Sequence, residues 1–252
     1  YLSFYRQAME VSRDVKPAAC LLEAFNFVIA HRWPCLLRAV PIVMLTALLA
    51  WLETNILERT DIFRVVINDL LYAIFAVFWH RYTLLARERD QSDYGLAFGL
   101  REMKFAGAML AYAGVSYLVA RIFIAGGGGS IMSVVVFICL LLLSFLPLMF
   151  VFPAIALDHP LALSLFARRV VEMSLPLVGT FLLGIVGIAG LYVLVYLPVL
   201  LLAALNRPGV AGVLFYLFSS FLIMPFILAV FISFVSILYR EAMGTATSSV
   251  HP

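Results

Sequence analysis

Asp69 lies well inside the apolar stretch RVVINDLLYAIFAVFWHRY, residues 64–82. An ionised carboxylate costs about 2.5–3.5 kcal/mol at the centre of a membrane-spanning helix and less toward the interface, so it requires a partner, water or a proton. Counted inward from Ile62 at about 1.5 Å per residue, Asp69 sits on the order of 10 Å below the outer end of its helix. Asp69, Ala73, Ala76 and His80 form one line of small and polar side chains at helical spacing. In the next apolar run Gly107, Ala111, Gly114, Leu118 and Arg121 repeat that spacing, and small faces of this kind allow close helix approach in lipid. Antiparallel pairing of the two faces would bring Arg121 within reach of Asp69. The expected site is an Asp69–Arg121 ion pair, with Asn68 and Tyr72 as neighbouring hydrogen-bonding groups and Arg64, on the same helix, as the competing partner. Such a pair either fixes helix register or forms a polar site for an ion, a proton or a lipid headgroup.

The remaining polar residues give no catalytic pattern. There is no glycine-rich phosphate loop, no HExxH and no CxxC. Cys20, Cys35 and Cys139 are too few and too scattered for a metal cluster or a disulfide framework and read as plain buried or interfacial thiols. His80, beside Trp79, Arg81 and Tyr82, suits an aromatic and basic anchor at the inner interface. His31 belongs to an amphipathic segment, and adjacent Asp158 and His159 form neither a metal site nor a catalytic pair by themselves. No catalytic residue, metal or cofactor is expected, and the chain is expected not to be an enzyme.

The elements that position these residues follow from composition. Of 252 residues 65% are hydrophobic and 12% charged, against about 45–50% and 25% in soluble domains. Only a bilayer solvates so apolar an exterior without penalty, so the chain is an integral membrane protein. A net charge of +3 offers no basic stripe for nucleic acid. Membrane lipid and other membrane proteins are the expected partners.

A spanning helix needs about 20 apolar residues. Six runs qualify, near 35–52, 62–82, 104–124, 131–157, 176–205 and 210–238, the last two separated by the turn-forming Asn206, Arg207, Pro208 and Gly209. GGGGS at 126–130 makes a flexible connection between the third and fourth. With the N-terminus inside, the inner segments carry Arg6, Arg13, Lys16, Arg32, Arg38, Arg81, Arg87, Arg89, Arg101, Lys104, Arg168, Arg169 and Arg240. The outer segments carry only Arg59, Arg64, Arg121 and Arg207. That bias places both termini in the cytoplasm.

Before each outward-going run stands a segment of mixed polarity: LLEAFNFVIAHRW at 21–33, YGLAFGLREMKFAG at 94–107 and LSLFARRVVEMSLP at 163–176. In the first, Leu21, Phe25, Val28 and Ile29 group away from Glu23 and Asn26. In the third, Ser164, Arg168 and Glu172 oppose Leu163, Phe166 and Val170. This pattern suits helices lying in the headgroup plane. Pro34 and Pro176 close the first and third segments and Phe105 lies midway between them, giving a period of about 71 residues. The expected fold is all-α: one membrane domain over 1–252, six transmembrane helices in three repeats (21–92, 93–161 and 162–243) of interfacial amphipathic helix plus transmembrane hairpin.

The proline, acidic, basic signature of mitochondrial carriers follows none of the odd-numbered runs. FVFPAIALD at 150–158, followed by ALSLFARRVVEMSLPLVGTFLLG at 162–184, resembles instead YciC-type bacterial polytopic membrane proteins and the related membrane domain of some glycerophosphodiester phosphodiesterases. The shared rhythm is a proline-containing helix end, a short turn and an amphipathic helix entering the next span. The resemblance covers about a fifth of the chain and implies architecture alone. The expected function is that of a non-enzymatic polytopic inner-membrane protein: a scaffold, a lipid organiser or an accessory subunit of a membrane assembly. The alternative is a transporter or channel for a small solute or ion, built on the intramembrane Asp69 and Arg121.

Overall fold

A computed structural model describes residues 15–55, 61–85, 99–125, 146, 148–204 and 223–243, together with positions 210, 212, 215, 218 and 219. Among the described residues the chain is all-helical. Its helices are α1 (Pro17–Ala30), α2 (Arg32–Asn55), α3 (Asp61–Leu85), α4 (Leu100–Ala125), α5 (Val151–Ala156), α6 (Leu163–Glu172), α7 (Ser174–Ala204) and α8 (Met224–Met243). Four windows, Arg32–Leu49, Leu100–Arg121, Ser174–Leu201 and Met224–Met243, are long and apolar enough to cross a bilayer. Helix α3 is 25 residues long but is not among the four; it carries Asp69, His80 and Arg81. Residues 131–145 of the expected fourth span, the glycine-rich 126–130, Cys139 and the turn at 206–209 lie outside the described residues, and α5 is the described end of that fourth span.

Two junctions are built alike. Helix α1 opens with Pro17, whose fixed φ and missing N–H suit the first helical position. It stops at His31, whose backbone N–H and ring Nδ1–H both donate to the Phe27 carbonyl, at 3.0 and 2.9 Å. Helix α2 then starts at Arg32 with Pro34 in its first turn, where no N–H is required. Likewise α6 stops at Met173 and α7 starts at Ser174 with Pro176 in its first turn. In both junctions the residue after proline donates back to the break residue, Cys35 N–H to His31 O at 3.1 Å and Leu177 N–H to Met173 O at 2.9 Å. Cys35 and Leu177 are both buried, and Trp33 and Leu175 are both exposed. The middle segment behaves differently: α4 runs unbroken from Leu100, and residues 94–98 lie outside the described residues.

Helix α8 is the central post. Every residue from Ile232 to Tyr239 is buried, as expected for a helix that is packed on all sides. Helices α1, α2, α3 and α5 all pack on it. Helix α1 crosses it steeply, because Glu23 and Phe25, two residues apart, reach opposite ends of α8. Glu23 Oε1 accepts a hydrogen bond from Arg240 at 2.9 Å, while the Phe25 ring meets that of Phe226 edge-on at 5.7 Å. Ala24, between them in sequence, is fully buried. Glu23 and Asn26 are exposed.

Helix α6 turns Leu165, Phe166 and Val170 inward. The ring of Phe166 stands edge-on to those of Phe150 and Tyr239 at 6.1 and 6.2 Å. Leu163, expected on that face, is instead 59% exposed, and Leu165 takes its place. The polar face forms as expected, with Arg168 Nε donating to Glu172 at 3.0 Å. We expect Phe166→Ala to cost about 3–5 kcal/mol and Leu163→Ala less than about 0.5 kcal/mol, measured by unfolding in detergent micelles.

Candidate functional site

Helices α3 and α4 pack against each other, and one ring contact fixes their register: His80 of α3 meets Phe105 of α4 at 5.7 Å. The line through Asp69, Ala73, Ala76 and His80 does face inward, with Ala73, Ala76 and His80 buried and Asp69 half-buried. The matching line on α4 does not. Gly107, Ala111, Gly114, Leu118 and Arg121 are all exposed, and a Cβ at Gly107 or Gly114 would meet nothing within 4 Å. The face that α4 turns inward runs through Phe105, Met109, Tyr112 and Ser116. The bulky residues win that orientation because Phe105 docks between His80 and Phe152, the latter at 4.9 Å. Arg121 therefore points away from α3, and no hydrogen bond or ion pair joins it to Asp69 among the described residues. It also stands about 7.5 Å further out along the helix than the level of Asp69.

Tyr72 is half-buried, and Arg64 lies in the first turn of α3 with its side chain outside the described residues. The Asn68 Oδ1 is buried with no hydrogen-bond partner, and so is the Ser116 Oγ on α4. Asp69 lies three helical turns before His80 and Ser116 three helical turns after Phe105, so the two stand at about the same level along α3 and α4. Sequence reasoning found Asn68 and Asp69 but missed Ser116. Its signal is the spacing from Phe105 and Met109 rather than from the glycines.

The second polar cluster lies where α3 meets α8, toward the C-terminal end of α3. Trp79 Nε1–H donates to Ala229 O at 3.0 Å and to Ser233 Oγ at 2.8 Å. Thr83 Oγ1 lies 3.4 Å from the same serine. His80, placed by sequence at an interfacial anchor, is fully buried with its Nδ1 2.7 Å from Ser236 Oγ. Ser236 donates its one hydroxyl proton to Ile232 O at 2.8 Å, so the His80 Nδ1–H is the donor to Ser236. A nucleophilic serine requires the opposite, a ring nitrogen accepting the serine proton. The pair is a strut between helices.

In the turn after α5 Asp158 and His159 diverge. Asp158, with φ 55° in the left-handed region, is ion-paired with Arg101 of α4. His159 places its Nδ1 3.0 Å from the Tyr239 hydroxyl. The Arg101 guanidinium holds the Asp158 carboxyl below its ordinary range, and burial holds the His159 imidazole below its own. Burial, reinforced by Glu241 and Glu23, pushes the Cys20 thiol up to about 11, which leaves it an inert thiol. Among the described residues no three His, Cys, Asp or Glu side chains gather to hold a metal.

Together the helices and their apolar surfaces define a membrane-embedded, all-helical protein. Comparison with family models, curated proteins and solved structures found no match.

We expect Ser236→Ala to cost about 1–3 kcal/mol, because it leaves the His80 donor buried and unpaired; unfolding in micelles measures this. The rim has a definite pH sign. A carboxyl with a lowered folded pKa contributes stability above the ordinary carboxylate range and loses it as pH falls through the folded value. A histidine held neutral contributes above its ordinary range and loses that contribution as the unfolded chain takes up the proton. Both effects make the fold acid-labile. Asp158→Asn, which tolerates the left-handed backbone, is expected to flatten the fall in Tm between about pH 5 and pH 3.

Proposed function

We propose that this chain is a non-enzymatic polytopic inner-membrane protein that works as a scaffold, organising lipid or serving as an accessory subunit of a membrane assembly. The observation that carries the reading is the surface of α7. Only 6% of its spanning window, Ser174–Leu201, is buried. A Cβ added at Gly179, Gly184, Gly187 or Gly190 would meet nothing within 4 Å. A long apolar helix whose glycine face meets nothing among the described residues offers lipid or a neighbouring helix a wide contact surface.

The reading has six spans in three repeats, with both termini cytoplasmic. The two alike junctions at His31 and Met173, each with proline in the following first turn, support the repeat. The YciC-type resemblance supports the architecture. The second reading, a small-solute or ion transporter or channel, draws support from the unpartnered buried oxygens beside Asp69.

A photo-crosslinking residue placed at Leu183, Val186 or Leu194 of α7 tests the first reading in native membranes. We expect discrete adducts with one protein or with lipid from these positions and none from buried Leu177. Equal, undirected labelling from α7 and from exposed Leu118 of α4 would remove the scaffold reading.

A further inference from the structure

Arg81 of α3 and Arg101 and Lys104 of α4 converge on the turn that follows α5. Arg81 Nη1 donates to the Ala156 carbonyl at 3.4 Å, and Arg101 is ion-paired with Asp158, two residues further along that turn. Lys104 is exposed one helical turn from Arg101, and with both arginines it lowers the Asp158 carboxyl below its ordinary range. The Asp158 side chain is half-exposed, so the cluster opens to the surface. Glu102, the second carboxylate beside Arg101, accepts the Gly99 N–H at 2.8 Å. Leu100 and Met103, in the same first turn of α4, are exposed apolar side chains.

We propose that Arg81, Arg101 and Lys104 bind the phosphate of an anionic lipid headgroup, with Leu100 and Met103 against its acyl chains. The tryptophans of α2 give the level. Trp33 and Trp51 are both exposed, one near each end of the helix, and at about 1.5 Å per residue they lie roughly 27 Å apart. That separation is close to the ~30 Å thickness of a bilayer's hydrocarbon, and exposed tryptophans at its two edges are the usual interfacial anchors. Two ring contacts carry the level of Trp33 across the bundle. His31, beside it in sequence, meets Tyr82 at 5.5 Å, and His80 meets Phe105 at 5.7 Å. Arg81 is next to Tyr82, and Arg101 is one turn before Phe105, so the cations stand at about headgroup height. Arginine forks and a lysine ammonium are the donors that phosphate oxygens take. Asp158 shows where such an oxygen would sit, and its carboxylate competes for Arg101. The exposed leucine and methionine favour a lipid over a free anion. The site names a lipid class for a surface other than α7 and does not rest on the scaffold reading.

The test is thermal unfolding of the whole protein in phosphatidylcholine nanodiscs at fixed pH and ionic strength, with phosphatidylglycerol replacing the host lipid stepwise up to about 30 mol%. A bound anionic lipid raises Tm by about 3–6 °C with a saturating dose response. Lys104→Gln, an exposed change that leaves the fold intact, is expected to shift the midpoint about fivefold higher. Asp158→Asn is expected to lower Tm in phosphatidylcholine alone, yet to shift the phosphatidylglycerol midpoint lower, because Arg101 is released to the phosphate. A purely structural turn gives the first effect without the second. Arg168→Gln on α6, distant in sequence and exposed, is expected to leave the midpoint unchanged. Equal Tm in both lipids overturns the site. So does a rise weakened as much by Arg168→Gln as by Lys104→Gln, the mark of diffuse surface charge, or one that inorganic phosphate reproduces in phosphatidylcholine discs. A rise that appears only after Glu88, Asp90 and Asp93 are neutralised, which would mean that the chain's own carboxylates hold these cations, overturns it as well. The α7 crosslinking result is unaffected by any of these outcomes.

Discussion

In hydrocarbon a buried donor without an acceptor keeps its full desolvation penalty, and the seam between α3 and α8 is where this chain meets that demand. Trp79, His80 and Thr83 enter from one helix and Ser233 and Ser236 answer from the other. The serines are small enough to let the helices approach and polar enough to terminate every donor that α3 presents there. Three aromatic rings then close over the cluster: Phe75 and Tyr82 stack on Trp79 at 5.9 and 5.3 Å, and Phe27 of α1 meets Trp79 and Tyr82. Helices α1, α5 and α6 hold their places because they pack on a post whose rotation and height this seam has already set.

The same end of the bundle carries further contacts. The rings of Phe150, Phe166 and Tyr239 meet there, Arg38 lies over Phe78 at 4.5 Å, and Arg81 donates to the Ala156 carbonyl at 3.4 Å. The exposed ion pairs, Arg168 with Glu172 and Arg240 with Glu23, add little energy, since water screens them. One joins neighbouring turns of α6 and the other ties α1 to α8. Among the described residues, most of the surface of α4 and α7 is left uncovered.

Much of this was legible in the sequence. Length and hydropathy identified the long helices, and the position of proline marked the breaks at His31 and Met173. The inward face of α3 followed from Asp69, Ala73, Ala76 and His80. Helix α4 was read the wrong way round for an instructive reason: its glycine line and its Phe105–Ser116 line have the same period, and periodicity does not say which stripe turns inward. A docked phenylalanine decides that, and its partners lie on other helices. The serines of α8 were passed over because a serine in an apolar run is inexpensive and common. Their role exists only once residues separated by 150 or more positions meet.

The chain order of that seam has a consequence for biogenesis. Trp79 and His80 are synthesised long before Ser233 and Ser236, which sit in the last described helix. At about 5–20 residues per second, α3 waits on the order of ten seconds after emerging before its acceptors are made. During that interval its indole and imidazole require temporary partners, water or the insertion machinery, and a ribosome stalled before α8 leaves a bundle whose centre has not yet been delivered.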